Sequence, residues 1–133
     1  LIEQCKLKFM KMTKTEQYLI MYKQRPWGGY TSVINESNHQ VKTITVKPGQ
    51  RLSKQYHHSR QEHWVIVSGR GTVELDNEII SVMPGKYIHV PVLAVHRIEN
   101  TSDHDLVFIE VQLGDYLGED DIVRLDDDYG RLI

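Results

Sequence analysis

The stretch Gln55–Trp64, QYHHSRQEHW, concentrates groups that could bind a metal ion. It holds three of the seven histidines, together with a glutamate and two side-chain amides. On an extended strand, residues two apart point to the same side, so Gln55 and His57 share a face. Glu62 follows the turn-like residues HSRQ, after which the chain can double back beside them. An imidazole, a carboxylate and an amide carbonyl on neighbouring strands predict a three-point site for a divalent metal ion.

Histidines elsewhere in the chain could supply a fourth ligand. The candidates are His89, His96 and His104. We favour His96, because it follows VPVLAV and so lies in a loop that emerges from a strand. His58 and His63 have the opposite strand parity to His57 and Glu62. This parity predicts that His58 lies at the mouth of the site and His63 on the wall.

These residues need a β-scaffold to position them, and the chain has the pattern of one from Ser32 onward. Short β-branched or aromatic runs with period-two alternation are separated by turn signals such as Pro48-Gly49 and Pro84-Gly85. The runs are VKTITVK (41–47), HWVIVSG (63–69), GTVELD (71–76), KYIHVP (86–91) and LVFIEVQ (106–112). Short strands at regular spacing predict an all-β sandwich or barrel.

The two ends of the chain depart from this pattern. Residues 1–22 are rich in lysine, and their apolar residues recur three or four positions apart: Ile2, Cys5, Phe9 and Met12. That spacing predicts one amphipathic helix, with a plain linker as the alternative. The acidic tail 114–131 is expected to pack over the barrel as a loop or a short helix.

Composition limits the classes of function. The 133 residues suffice for one domain, and a net charge of −2 argues against binding to nucleic acid or to a membrane surface. No apolar run approaches the roughly 18–20 residues of a membrane span, and the first residues do not resemble a secretory signal. A single cysteine, Cys5, fits a reducing compartment, so we expect a cytoplasmic protein. The chain begins at Leu1, which indicates a fragment or lost first residues.

Two segments resemble the motifs of the cupin family. PGQRLSKQYHHSRQEHWVIVSG resembles the first motif, G-x5-H-x-H-x4-E-x6-G, with Gln55 at its first histidine. GKYIHVPVLAVHRIEN resembles the second, G-x5-P-x-G-x2-H-x3-N, with Leu93 at its internal glycine. The resemblance implies a double-stranded β-helix, or jelly-roll barrel, preceded here by a short helical extension. It also implies one metal ion, with the ligands Gln55, His57, Glu62 and His96.

Gln55 leaves two interpretations open. Its amide could hydrogen-bond the barrel wall, which would leave three protein ligands and more water, or its carbonyl oxygen could bind the ion. A neutral oxygen ligand suits Lewis-acid chemistry better than tuning iron for oxygen. We therefore expect a divalent ion, with zinc first and manganese, cobalt, nickel, iron or magnesium as alternatives.

A longer resemblance covers roughly residues 24–131. RPWGGY, HVPVLAVHRIEN and IEVQLGDYLGEDDIVRLDDDYGR are similar to the type II phosphomannose isomerase domain, commonly the C-terminal half of bifunctional mannose-1-phosphate guanylyltransferase/mannose-6-phosphate isomerases. The resemblance implies a linker or helix at 1–24, an isomerase domain at 25–133, and a guanylyltransferase domain upstream in a full-length chain. It implies interconversion of mannose 6-phosphate and fructose 6-phosphate for GDP-mannose and polysaccharide synthesis. We also expect a homodimer.

The implied reaction moves a proton between two sugar carbons through an enediol or enediolate, so it needs a base. Glu110 shares a face of its strand with Leu106 and Phe108, and burial on that face could raise its pKa towards the working pH. His58 is a second candidate for the base, and Glu62 is a less favoured third.

A phosphosugar also needs an anchor for its phosphate. The chain has no glycine-rich phosphate loop, so cationic side chains must serve. The candidates are Lys42, Arg51, Arg97 and Arg124. We favour Arg97, which follows a metal ligand directly, and Lys42, which lies on a strand of the motif face.

Other functions of the same fold remain alternatives. A cupin nucleotide-sugar epimerase also abstracts a proton from an activated sugar, but it typically uses a histidine–aspartate pair without a metal. A sugar-binding module without catalysis would keep the barrel and need no turnover. A metal dioxygenase is disfavoured by Gln55 at the usual histidine position.

Overall fold

In the computed structural model, which describes residues 1–132 apart from the side chains of residues 18–20, the chain is a two-layer β-structure preceded by short helices. The helices are α1 (Ile2–Met10) and α2 (Lys14–Met21). The strands are β1 (Tyr22–Arg25), β2 (Gly28–Asn35), β3 (His39–Val46), β4 (Lys54–Tyr56), β5 (Arg60–Ser68), β6 (Gly71–Leu75), β7 (Glu78–Val82), β8 (Tyr87–Val90), β9 (His96–Asn100), β10 (Leu106–Gly114) and β11 (Val123–Asp126). The all-β fold with a short helical extension is confirmed.

Two antiparallel sheets enclose the core. The first has the order β1-β2-β3-β10-β5-β8, and the second has the order β11-β4-β9-β6-β7. Their facing sides bury a continuous apolar cluster that includes Val46, Trp64, Val73, Ile98 and Phe108. Close packing of these side chains fixes the distance between the sheets, and any polar group on the same inner faces is thereby fixed as well.

The inner faces of β5 and β10 carry both the core and the polar groups of interest. Burial alternates along both strands, as expected for strands with one face inward. The inward residues of β5 are Arg60, Glu62, Trp64 and Ile66, and those of β10 are Leu106, Phe108, Glu110 and Gln112. The apolar members belong to the barrel core, whereas the polar members lie together at one end of the barrel.

The prediction that Gln55 and Glu62 lie on neighbouring strands is wrong. β4 belongs to the second sheet and β5 to the first, so the chain crosses between the sheets at residues 57–59 instead of forming a hairpin. β4 pairs with β9, where Gln55 lies opposite His96, and with β11. The expected residues still meet, but across the barrel interior rather than side by side.

The prediction of one helix over residues 1–22 is also wrong. α1 ends at Met10, and Thr13 precedes α2 as its N-cap in a capping box, in which the Glu16 N–H donates to Thr13 Oγ1 and the Thr13 N–H donates to Glu16 Oε2. α1 buries none of its residues, so its apolar stripe has no core to pack against among the described residues. Neither described helix is long and apolar enough to span a bilayer.

The tail contains a strand where a loop or short helix was expected. β11 pairs with β4, with Val123 opposite Tyr56 and Arg124 opposite Gln55. β4 has three residues, and β11 covers the edge that β9 leaves free. The tail thereby carries Arg124 to the side of Gln55, at the end of the barrel where the polar residues gather.

Candidate metal centre and adjoining cavity

His57, Glu62 and His96 form a buried cluster that could hold a metal ion. One ligand atom from each lies within 4.8 Å of the others. His57 Nε2 lies 3.5 Å from Glu62 Oε2, and His96 Nε2 lies 3.5 Å from Glu62 Oε1. The carboxylate therefore stands between two imidazole nitrogens. One ligand comes from each sheet and the third from the crossing between them.

The second nitrogen of each imidazole is held by the backbone. His57 Nδ1 donates to the Asp121 carbonyl at 2.7 Å, and His96 Nδ1 donates to the Ala94 carbonyl at 2.9 Å. Carbonyl oxygens only accept, so the protons are on Nδ1 and the Nε2 lone pairs point at Glu62. Burial lowers the pKa of His57 to about 4, and burial also lowers the pKa of His96, which keeps both rings neutral near pH 7.

This arrangement fits a divalent cation. The neutral His96 Nε2 lone pair faces a Glu62 oxygen, and the two repel each other unless a positive charge lies between them. His96 Nε2 is buried and has no hydrogen-bond partner among the described residues. Two imidazoles and a carboxylate, oriented by backbone carbonyls, are ligands that zinc and related divalent ions take in proteins.

Gln55 lies beside the cluster. It is half-buried, and Ser53 Oγ donates to its Oε1 at 3.3 Å. Because it pairs with His96 across β4 and β9 and lines the adjoining cavity, its amide is placed on the correct side of the sheet to reach an ion. Its role as a fourth ligand stays a prediction.

Arg60 is a site residue that the sequence analysis missed. Its Nε donates to Glu62 Oε2 at 2.9 Å, and its Nη2 donates to His57 Nε2 at 3.3 Å. The same strand parity that placed Glu62 inward also places Arg60 inward, so the signal was present two residues away. Its guanidinium partly balances the charge of Glu62.

A cavity opens beside Glu62, and Glu110 lies in its wall. The Trp64 indole Nε1 donates to one oxygen of Glu110 at 3.1 Å, and Gln112 Nε2 donates to the other at 2.9 Å. Burial, followed by the nearby charge of Glu62, raises the pKa of Glu110 to about 7. A carboxyl group with this pKa can both take and return a proton near neutral pH.

The cavity has a cationic side. Its lining includes both sheets and the tail, and the charged members are Arg25, Lys42, Arg60, Glu62, Glu110, Glu119, Arg124 and Arg131. Burial and the neighbouring Arg131 lower the pKa of Arg124, and its buried Nε has no partner among the described residues. Lys42 and Arg124, two of the predicted phosphate-binding residues, thus line the same cavity.

The other predicted residues lie elsewhere. Arg97 alternates with His96 on β9 and points away from it, where it binds Asp126 at 2.9 Å and the Leu52 carbonyl. Arg51 is bound to Asp128 on the surface. His58 is exposed, with its ring against Tyr56, and it does not line the cavity. Arg97 and Arg51 are already paired with aspartates and His58 lies outside the cavity, so these three side chains are poorly placed to bind a ligand inside it.

His63 and His89 form a separate pair on the outer face of the first sheet. Their strands place them opposite each other, and the rings stack with centroids 4.6 Å apart. The Nε2 atoms of His63 and His89 both lie within hydrogen-bond distance of the side-chain oxygen Oε1 of Gln61, at 3.1 and 3.0 Å. The prediction that His63 is a wall residue agrees with this position on the outside of the barrel.

The fold is the double-stranded β-helix of the cupins. A solved protein of Klebsiella pneumoniae with a double-stranded β-helix domain matches the chain with a TM-score of 0.70 and 16% identity, over 88% of this chain and 98% of that one. A sequence model described as mannose-6-phosphate isomerase C-terminal matches residues 12–127. The chain belongs to this family.

Curated relatives are similar over most of this chain. The alginate biosynthesis protein AlgA of Pseudomonas putida is 48% identical over 119 residues, which are 90% of this chain and 24% of the relative. A mannose-1-phosphate guanylyltransferase of Escherichia coli K12 is 48% identical over 108 residues, which are 81% of this chain and 23% of the relative. The chain therefore spans about a quarter of the length of these relatives.

Proposed function

We propose that the chain is a metal-dependent aldose–ketose isomerase that interconverts mannose 6-phosphate and fructose 6-phosphate. The observation that carries the proposal is the meeting of three features at one end of the barrel. A His–Glu–His cluster suited to a divalent ion adjoins a cavity, that cavity holds a buried carboxyl group with a pKa of about 7, and its lining also carries the cations Lys42 and Arg124. Membership of the family supports the choice of substrate.

His57, Glu62 and His96 would hold the ion, with Gln55 as the fourth protein ligand. The ion would supply Lewis-acid polarisation of the sugar's carbonyl and hydroxyl oxygens. Zinc is the first choice for this donor set. Arg60 would remain bound to Glu62 and hold that carboxylate in place.

Glu110 is the proposed base. It would take the proton from one sugar carbon and return it to the neighbouring carbon, which is the transfer that an aldose–ketose isomerisation requires. Trp64 and Gln112 hold its two oxygens, so the carboxyl group keeps one orientation throughout. The exposed position of His58 disfavours it as the alternative base.

The phosphate would bind on the cationic side, at Lys42 and Arg124, with Arg25 nearby in the lining. A phosphate accepts several charge-assisted hydrogen bonds, and Arg124 Nε is a buried donor without a hydrogen-bond partner among the residues that the structure describes. Lys42 lies opposite Glu110 across β3 and β10, so a sugar whose phosphate binds at Lys42 would lie beside the proposed base.

A coupled assay with mannose 6-phosphate, run before and after chelation, tests the function. We expect fructose 6-phosphate formation that chelation abolishes and zinc restores. Glu110→Gln should lower kcat by about 10²–10⁴-fold while the bound metal remains, because it removes the base and leaves the ligands intact. His104→Asn, which changes an exposed histidine, is the matched control. Metal binding without turnover would instead favour a sugar-binding module.

The proposal extends to a homodimer in the cytoplasm and to a guanylyltransferase domain upstream. Val65 and Ile109 pair on the outer face of the first sheet, where both are about two-fifths or more exposed, and Val67 continues the apolar surface. Light scattering should give the mass of a dimer, and Val65→Glu should give a monomer. A monomeric wild-type chain would contradict the dimer. Sequence upstream of Leu1 tests the additional domain.

A further inference from the structure

Lys42 is a buried cation whose partner is exposed. Its side chain is 5% exposed, and its Nζ donates to Glu119 Oε1 at 2.5 Å. The ammonium also lies over the Tyr30 ring, 4.4 Å from its centroid. The side chain of Glu119 is 61% exposed. In this ion pair the Lys42 ammonium is buried, whereas the Glu119 carboxylate is exposed to solvent.

The segment that carries Glu119 is tied to the barrel, whereas the Glu119 side chain itself is exposed. Glu119 belongs to the irregular segment between β10 and β11. Two residues later, the Asp121 carboxylate accepts from the His58 and Ser59 N–H groups at 2.9 Å, which ties this segment to the crossing between the sheets. Release of Lys42 thus requires rotation of one exposed side chain and no movement of the segment.

We infer that Glu119 is a built-in competitor for the phosphate subsite: its carboxylate occupies Lys42 until a phosphate displaces it. This inference rests on the proposed function, because it assigns the role of a residue in the same cavity. An exposed carboxylate returns to water at little cost, whereas Lys42 needs an anion because it is buried.

The exchange makes the site selective for phosphorylated sugars. A phosphate carries about two negative charges near neutral pH and can replace the single charge of Glu119. A sugar without a phosphate offers hydroxyl groups, which cannot balance a buried ammonium. Such a ligand would leave Glu119 on Lys42, with its side chain still across the subsite.

Calorimetric titration with inorganic phosphate tests the inference without requiring turnover. We expect Glu119→Gln to bind phosphate roughly tenfold more tightly than wild type, because the competing charge is gone. Lys42→Met should bind it weakly, and Glu119→Gln should give no gain in the Lys42→Met background. Glu74→Gln is the matched control, since Glu74 pairs with Lys54 at 3.5 Å away from the cavity.

The possible results separate clearly. Unchanged or weaker phosphate binding by Glu119→Gln, or a gain of equal size in the Lys42→Met background, would overturn the inference. Glu119→Ala provides a second variant, and thermal unfolding of each variant verifies that it is folded. If Glu119→Gln gains affinity but the chain shows no isomerase activity, the competitor role stands and the proposed reaction falls.

Discussion

Asp127 offers a sharp test of the structure, because its carboxylate holds the end of the tail through three hydrogen bonds. The backbone N–H of Arg131 donates to Oδ2 at 2.6 Å, its Nε donates to Oδ2 at 2.8 Å, and its Nη2 donates to Oδ1 at 2.9 Å. The Asp127 side chain is fully buried. These bonds lower the pKa of Asp127 from its ordinary value of 3.8 to about 2.

The shift in pKa sets the size of the effect. At about 1.36 kcal/mol per pKa unit, it corresponds to roughly 2 kcal/mol of folding free energy at neutral pH. Since the pKa is lowered in the folded state, this stabilisation is present above about pH 4 and is lost as the pH falls towards 2. Asp127→Asn should therefore destabilise the chain by about 2 kcal/mol at pH 7, and the difference from wild type should shrink between pH 4 and pH 2.

Urea unfolding at a series of pH values measures the effect. Asp105→Asn is the control, because Asp105 forms a surface ion pair with Lys47 at 3.6 Å, and its loss should cost less than about 0.5 kcal/mol. The reasoning is refuted if Asp127→Asn matches the control at pH 7. It is also refuted if the gap to wild type stays constant down to pH 2, because the charge of Asp127 would then not be its cause.

Three further predictions concern the centre and the core. Gln55→Leu should weaken zinc binding about tenfold or more in a competition titration, as expected for the loss of a ligand, and unchanged affinity would leave Gln55 as a wall residue. Arg60→Gln should weaken zinc binding, because Arg60 holds the Glu62 carboxylate in place; stronger binding would mean that the guanidinium charge mainly opposes the ion. Ile98→Ala should lower the free energy of unfolding by about 2–5 kcal/mol, since the side chain is fully buried, and a loss below about 1 kcal/mol would contradict that packing.

Strand parity predicted the inward residues of the site well. It predicted that Glu62 points into the barrel, and it placed Glu110 on the inward face of its strand. Both side chains are buried in the structure. The same parity rule also predicts the orientation of two arginines. It places Arg60 on the same face as Glu62, and it turns Arg97 away from His96, which argues against Arg97 as a phosphate anchor.

Contacts between distant parts of the chain could not be predicted in this way. Lys42 and Glu119 are 77 residues apart, and Asp121 reaches His57 from 64 residues away. Alternation tells which side of a strand a residue occupies, but it does not tell which sheet the strand joins. For that reason the opposite placement of β4 and β5, and the pairing of β11 with β4, emerged from the three-dimensional arrangement.

The separation of the ligands between the sheets has a mechanical consequence. His96 lies in one sheet, Glu62 in the other, and His57 in the crossing between them. An ion that binds all three joins the two layers, so its binding free energy adds to the work needed to part them. When the ion is bound, slow amide hydrogen exchange should extend into both sheets. Without the ion, amides at the end of the barrel near the cavity should exchange faster.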